Sequence, residues 1–169
     1  MARVPFFAAV ARSWSSVGAP WDDLPSEGVA VELRRAGATV AAVELHAGRA
    51  ATLRQRFPEV QVLQRDFLDT YPMLLPYADA VVMNPPFSVE GLPQADLAHV
   101  SHALDCVRPG GALVAVMSAG VTFRQNAATL AFRTRVEGMG GRFEQLPEGA
   151  FASAGTDVCA VTLTIPEVR

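Results

Sequence analysis

Short apolar runs, typical of buried strands, alternate with helix-spaced apolar positions from residue 26 onwards. Residues 39–45 are β-branched and apolar, which predicts a strand, and residues 47–57 place Ala50, Leu53 and Phe57 on one helical face. The same patterns predict the remaining elements, namely helices near 26–37, 97–107 and 132–139 and strands at 60–63, 80–84, 112–117, near 143 and at 158–165. This alternation predicts an α/β fold with a mostly parallel sheet covered on both faces.

The last two predicted strands follow each other without a helix between them, which predicts an antiparallel hairpin at the sheet edge. The expected architecture is therefore a Rossmann-like three-layer sandwich over residues 26–169. Residues 1–25 show no regular pattern and are predicted to be an irregular N-terminal segment. Its aromatic side chains, Trp14 and Trp21, are expected to pack this segment onto the core.

Composition narrows the class of protein. The 169 residues fit one domain, and half of them are hydrophobic, which argues against disorder. All 14 basic residues are arginine, and the formal net charge is −3. This charge excludes a nucleic-acid binder of the strongly basic type, although a local basic patch stays open.

Several features predict a cytoplasmic protein without a membrane span. Cys106 and Cys159 lie far apart in a predicted helix and strand, so we expect buried thiols in a reducing compartment. The N-terminal apolar run is interrupted by Pro5 and ended early by Arg12, unlike a signal peptide. No other apolar stretch is long enough to cross a bilayer.

The candidate chemistry is concentrated in the tetrapeptide Asn84-Pro85-Pro86-Phe87, which ends the apolar run 80–83. A buried strand that ends at a polar residue presents it at the carboxyl edge of the sheet, where open α/β sheets bind ligands. The prolines make this turn rigid. The Asn84 carboxamide and the Pro85 carbonyl then both accept hydrogen bonds from one planar amino group, and Phe87 offers a ring face. Ordinary turn chemistry remains the alternative.

Other polar residues each allow a functional and a purely structural interpretation. Glu44 and Asp66 follow strands, where they are either ligand-binding or solvated carboxylates. A set of arginines follows the strand at 112–117 and either meets phosphates or forms a solvated helix face: Arg124, Arg133 and Arg135. His99 and His102 lie one helical turn apart without a third ligand, so no metal site is predicted and both are expected at the surface.

These residues resemble, in order and spacing, class I S-adenosylmethionine-dependent methyltransferases of the Asn/Asp-Pro-Pro-aromatic branch, over about residues 26–165. The resemblance implies that Glu44 binds the cofactor ribose and that Asp66, with Phe67, accepts from its adenine amino group. It implies that the motif at 84–87 is catalytic, and Arg108-Pro109-Gly110-Gly111 resembles the family's turn into the next strand. The implied cofactor is S-adenosylmethionine, and the implied reaction is methyl transfer to an exocyclic amine, foremost adenine in DNA or RNA. Other members methylate glutamine side chains or the guanine amino group.

One departure from the family concerns its first strand and glycine-rich cofactor loop. Only Leu24-Pro25-Ser26-Glu27-Gly28 stands before the helix near 29, with Ser26 and Gly28 as the candidate cofactor contacts. A missing central strand would leave two rows of backbone groups unpaired. Either residues 4–11 supply a strand, or the neighbours close up, or a partner chain or second copy fills the gap. A binding or structural subunit that has lost catalysis therefore remains an alternative function.

Overall fold

The computed structural model describes residues 6–11, 39–70, 78–147 and 159–169, the first range as backbone only. The strands are β1 (Phe6–Ala11), β2 (Thr39–Glu44), β3 (Gln61–Gln64), β4 (Ala78–Asn84), β5 (Val107–Ser118), β6 (Arg142–Gln145) and β7 (Ala160–Ile165). The helices are α1 (Ala47–Arg56), α2 (Ala95–Cys106), the single turn α3 (Gly120–Phe123) and α4 (Ala127–Gly138). The helix predicted near 26–37 and both tryptophans lie outside the described residues.

All seven strands form one sheet in the order β3-β2-β1-β4-β5-β7-β6. The ladders from β3 through to β5 are parallel, whereas β7 runs antiparallel to both β5 and β6. The predicted α/β fold, with a mostly parallel sheet and a C-terminal antiparallel hairpin at one edge, is confirmed. Within the hairpin, β6 is the outer strand and β7 inserts between β5 and β6.

The centre of the sheet is filled by β1, from the segment 1–25 that the sequence pattern predicts to be irregular. Phe6 to Val10 pair with Thr39 to Val43 of β2, and Phe7 to Ala11 pair with Ala80 to Asn84 of β4. Of the three arrangements expected for the gap, the first therefore occurs, since residues of this chain supply the strand. The sheet thus begins before residue 26, which corrects the predicted boundary, and the backbone groups of β2 and β4 are paired on both sides.

Side chains of β2 alternate between two hydrophobic clusters on opposite faces of the sheet. Val40 and Ala42 pack in a small cluster with Leu53 of α1. Ala41 and Val43 belong to the larger cluster, which the helices α2 and α4 cover. Helices therefore lie on both faces, as the three-layer prediction requires.

Strand β5 begins at Val107, five residues earlier than predicted, because Pro109-Gly110-Gly111 continues the strand instead of only closing the helix. Gly110 has φ of +76°, a conformation that favours glycine. A Cβ at Gly111 would lie 2.6 Å from Val107 Cγ1 and 2.8 Å from the Asp79 carbonyl oxygen. Both glycines also pair with the chain's C-terminal segment, since Gly110 N donates to Val168 O and Val168 N donates to Gly111 O.

The two cysteines differ in environment. Cys106 is buried at the end of α2, as predicted, and burial raises the pKa of its thiol to about 11. Cys159, just before β7, is exposed, which corrects the expectation of a buried thiol. Among the described helices, none has the length and apolar composition needed to cross a membrane.

Candidate functional site

Two of the predicted site residues end strands at the same edge of the sheet. Val10 pairs with Val43 and Ala11 pairs with Asn84, so Glu44, which follows Val43, lies level with Asn84. Only β1 separates their strands, and neighbouring strands lie about 4.8 Å apart, so the two backbones are about 10 Å apart. The parallel strands therefore bring Glu44 and Asn84 together at the carboxyl edge, where α/β sheets bind ligands.

Asn84 is the last residue of β4, and its side-chain oxygen is an unsatisfied acceptor. Oδ1 is buried and has no hydrogen-bond partner among the residues that the structure describes. Pro85 and Pro86, which follow it in the sequence, are buried, and Phe87 is half-buried. A buried carbonyl oxygen without a donor costs about 1–3 kcal/mol, so this site is suited to a ligand that brings an N–H or O–H group.

Glu44 is a buried carboxylate with a fixed orientation. It is 1% exposed, and its Oε1 accepts a hydrogen bond of 2.7 Å from the backbone N–H of His46. Burial raises the pKa of the Glu44 carboxyl, and the His46 N–H opposes this shift. An oriented carboxylate at low polarity is a strong acceptor for ligand hydroxyl groups.

Asp66 begins a compact turn just beyond the end of β3. Its Oδ1 accepts from the backbone N–H of Leu68 at 3.0 Å, and its carbonyl oxygen accepts from Asp69 N and from Thr70 Oγ1. Thr70 N donates to Phe67 O, so the turn is closed by bonds within five residues. These bonds orient the Asp66 carboxylate at the same edge as Glu44.

Phe67 lies in the hydrophobic core, where it contacts two histidines of α2. Its ring stacks on His99 with centroids 6.2 Å apart and meets the edge of His102 at 5.0 Å. His99 is 0% exposed, with Nδ1 2.6 Å from Ala95 O, and His102 is half-buried. The prediction that both histidines lie at the surface is therefore wrong, because Phe67 and the helix backbone enclose them.

Helix α2 is also tied to β5. Asp96, in its first turn, is buried, and its Oδ2 accepts a bond of 2.9 Å from the backbone N–H of Ser118, the last residue of β5. Oδ1 accepts from Leu97 N. Burial raises the pKa of the Asp96 carboxyl, against the effect of the Ser118 N–H. Since α2 follows the loop after Asn84, Asp96 fixes the end of that loop relative to β5.

The turn that follows β5 presents an exposed aromatic ring on a braced backbone. Phe123, in α3, is 66% exposed. Nη1 of Arg133 donates to the carbonyl oxygens of Val121 and Arg124, which flank Phe123 on both sides. The Arg133 guanidinium therefore binds backbone carbonyls and braces this turn. Neither of the two interpretations given for it, a phosphate contact or a solvated helix face, describes this role.

The other two arginines of the predicted set have different surroundings. Arg135 forms an exposed ion pair with Asp105 at 3.2 Å and thus lies on a solvated face. The guanidinium of Arg124 lies against Gly120, where a Cβ would come within 2.5 Å of it. Its charge acts on the buried Asp96 carboxylate. Arg124 is therefore the member of the set that lies close to Asp96, beyond the end of β5.

The predicted cofactor contacts Ser26 and Gly28 lie outside the described residues, in the connection between β1 and β2. Sequence reasoning did not single out Asp96 or Phe123, although both belong to the surroundings of the site. The sequence does indicate Asp96 in one respect, because it is an acidic residue in the first turn of a helix. Phe123 gives no signal in the sequence, because its exposure depends on the turn that Arg133 braces.

Solved structures share this fold. The M protein of the type I restriction enzyme EcoKI matches 75% of this chain and 30% of its own at 20% identity, with a TM-score of 0.59. A Listeria monocytogenes protein provisionally assigned as a class I S-adenosylmethionine-dependent methyltransferase matches 96% of this chain and 55% of its own at 15% identity, with a TM-score of 0.62. TrmN from Thermus thermophilus matches 98% and 45% at 18% identity, with a TM-score of 0.57.

No protein-family model matches the chain, and no curated protein matches it. The chain spans 30% of the EcoKI M protein and about half of the other two. At these identities the likeness shows the fold alone. The chain therefore has the Rossmann-like α/β fold of these proteins, in agreement with the architecture predicted from its sequence.

Proposed function

We propose that this protein transfers a methyl group from S-adenosylmethionine to an exocyclic amino group, with adenine in DNA or RNA as the substrate. The observation that carries the proposal is the buried Oδ1 of Asn84 at the carboxyl edge of the sheet, which has no hydrogen-bond partner among the described residues. Such an oxygen is satisfied by a substrate N–H group, and its position directly before two buried prolines makes it a preorganised acceptor.

The chemistry of an aromatic amine explains why an acceptor is needed there. The lone pair of an amino group conjugated to a ring is delocalised, so the nitrogen is a weak nucleophile. Hydrogen bonds from its two N–H groups to Asn84 Oδ1 and to the Pro85 carbonyl favour a tetrahedral nitrogen whose lone pair points away from the ring. The positive charge arises on transfer and the proton leaves afterwards, so no general base is required before attack. Phe87 is proposed to stack on the base, which in duplex DNA must first be flipped out.

The cofactor supplies an electrophilic methyl group on a sulfonium when it is bound. The described residues that fit it are Glu44 and Asp66. The buried, His46-oriented carboxylate of Glu44 suits the two ribose hydroxyls, and the Asp66 turn presents a carboxylate suited to the adenine amino group. The core position of Phe67 suggests that it acts by anchoring this turn.

Two observations support nucleic acid as the substrate class. The exposed Phe123 and the neighbouring Arg124 lie at the end of β5, next to the strand that presents Asn84. Exposed aromatic rings and arginine side chains commonly stack on bases and meet phosphates. The similarity to the M protein of a type I restriction enzyme also favours this class.

The test combines calorimetric titration with S-adenosylmethionine and transfer of labelled methyl groups to oligonucleotides that differ only in adenine or hypoxanthine, which lacks the amino group. We expect adenine to accept methyl groups and hypoxanthine not to. Asn84→Ala should lower kcat by about 10²–10³-fold, because one preorganised acceptor is lost, with the cofactor Kd almost unchanged. Asn84→Asp is the matched variant. It keeps an acceptor oxygen in place, so its kcat should fall less than that of Asn84→Ala.

The outcomes separate the alternatives. Full activity of Asn84→Ala would show that the proposed mechanism is wrong. Cofactor binding with transfer only to a glutamine-containing protein would favour a protein methyltransferase. Absence of cofactor binding at millimolar concentrations would favour a non-catalytic binding or structural subunit.

A further inference from the structure

We propose that His102 is a positioning residue for the cofactor, which locks the turn 66–70 onto helix α2 in the shape that presents the Asp66 carboxylate. This inference rests on the proposed function. His102 belongs neither to the tetrapeptide motif nor to the residues for which the family resemblance implies a role. His102 acts through Thr70 and Phe67, and it need not touch the cofactor itself.

The first observation is a hydrogen bond across a long sequence separation. His102 Nε2 lies 2.7 Å from the carbonyl oxygen of Thr70, 32 residues away along the chain. A carbonyl only accepts, so the proton of the imidazole is on Nε2. Thr70 is fully buried and is the last residue of the turn that Asp66 begins. The bond therefore fixes the far end of this turn.

The second observation is the ring contact at the middle of the same turn. The edge of His102 meets Phe67, with an interplanar angle of 80° and centroids 5.0 Å apart. Phe67 directly follows Asp66 and is buried. One imidazole thus holds the turn at two points, by a hydrogen bond to its last residue and by packing against its second. The Asp66 side chain, which bonds Leu68 N, is oriented by this turn.

The third observation is the position of His102 on its helix. Asp96 in the first turn of α2 bonds Ser118 at the end of β5, and α2 itself follows the loop after Asn84. His102 lies six residues further, about 9 Å along the helix axis. Helix α2 therefore connects the loops that follow β3, β4 and β5, and His102 sets the position of the cofactor turn relative to the substrate loop.

The experiment compares substitutions at His102 in the full chain. His102→Ala removes both contacts and should raise the Kd for S-adenosylmethionine about tenfold, by analogy with the loss of about 10–100-fold in affinity when the hydrogen-bond partner that orients a metal ligand is removed. His102→Gln keeps an N–H donor for Thr70 O and should bind within about threefold of wild type. Asp105→Ala, an exposed residue of the same helix, is the control and should leave the Kd unchanged.

Two readouts distinguish positioning from a general loss of stability. The KM for the cofactor should rise while kcat at saturating cofactor stays within about twofold, because Asn84 is unaffected. In hydrogen exchange, the amides of Asp69 and Thr70, which bond within the turn, should lose protection in His102→Ala and retain it in His102→Gln. Should the alanine variant not fold, His102→Phe keeps a ring against Phe67 without the donor and takes its place.

An unchanged Kd in a folded His102→Ala protein would overturn the inference while the proposed function stands. Unchanged protection of the turn amides would also overturn it. If the wild-type protein bound no cofactor, the proposed function would fail and this inference with it. These results are distinct, because wild-type binding is measured first.

Discussion

The Asp96 carboxylate and the backbone N–H of Ser118 form a partly buried hydrogen bond of 2.9 Å that joins the first turn of α2 to the end of β5. This bond connects the two elements next to Asn84, because the loop after Asn84 leads into α2 and β5 pairs with the strand that Asn84 ends. The position of the loop after Asn84 therefore depends on one carboxylate outside the tetrapeptide motif.

Replacement of Asp96 by alanine should lower the free energy of unfolding by about 1–3 kcal/mol, because the Ser118 N–H loses the acceptor of a partly buried hydrogen bond. We also expect a loss of methyl transfer at saturating cofactor, since the Asn84 loop is no longer tied to β5. Urea unfolding and single-turnover transfer measure the two effects. Glu90→Ala, an exposed carboxylate in the same loop, is the control. A wild-type transfer rate in Asp96→Ala would contradict the positioning role.

Glu44→Gln should have opposite effects on stability and on cofactor affinity. The pKa of Glu44 in the folded protein is raised above its ordinary value of 4.5. The contribution of this carboxyl group to the free energy of unfolding is therefore present below that pH and is lost as the pH rises through the folded pKa. Glutamine keeps the acceptor for His46 N without a charge to bury. Urea unfolding should therefore give equal stability at about pH 4 and a more stable variant at about pH 7.5.

The same Glu44→Gln substitution should weaken S-adenosylmethionine binding, because an amide offers one acceptor oxygen to the ribose where a carboxylate offers two. Calorimetry at neutral pH measures this change. Glu144→Gln, at an exposed position on the edge strand β6, removes the same charge and controls for net charge. Tighter cofactor binding by the Glu44→Gln variant would contradict the assignment of Glu44 to the ribose.

Phe123→Ala should weaken oligonucleotide binding about tenfold, within the range measured for loss of one base–aromatic stack. The control is Leu130→Ala, which removes another exposed hydrophobic side chain, 41% exposed, on the adjacent helix α4. Fluorescence anisotropy with labelled single-stranded DNA measures both. Equal affinities of the two variants would argue against a base contact at Phe123. Cofactor affinity should be unchanged in either case.

Gly111→Ala should destabilise the fold by about 1–3 kcal/mol, because the added methyl group would overlap Val107 Cγ1 and the Asp79 carbonyl. Gly138→Ala is the matched control. No atom lies within 4 Å of the Cβ position at Gly138 in the last turn of α4, so alanine should be neutral or slightly stabilising there. A similar Tm for both variants would show that the start of β5 rearranges readily.

The positions of Glu44 and Asn84 were predictable because each ends an apolar run that is too short for a helix. The central strand β1 was harder to assign. Its sequence, residues 6–11, is alanine-rich and follows Pro5, and nothing local distinguishes it from an irregular apolar segment. Only the pairing with two neighbours 33 and 73 residues away fixes it in the sheet.

The environment of the histidines depends equally on tertiary contacts. His99 and His102 have the spacing of a helix face, but the sequence does not show that Phe67 covers that face. The start of β5 was misplaced for a local reason. Pro109-Gly110-Gly111 is ordinary helix-ending chemistry, whereas here the two glycines also pair with Val168, which lies far along the sequence.

The location of β1 in the middle of the sheet has a consequence for how the chain folds. The strand precedes both of its partners along the chain, and the longer of its two pairings joins residues 73 positions apart. Until it inserts, β2 and β4 each expose an edge, so the sheet forms as two separate parts. Contacts of such high sequence separation slow folding, and exposed edges favour association between chains. Folding of this protein should therefore depend on residues 6–11, which are synthesised before either of the strands that they pair with.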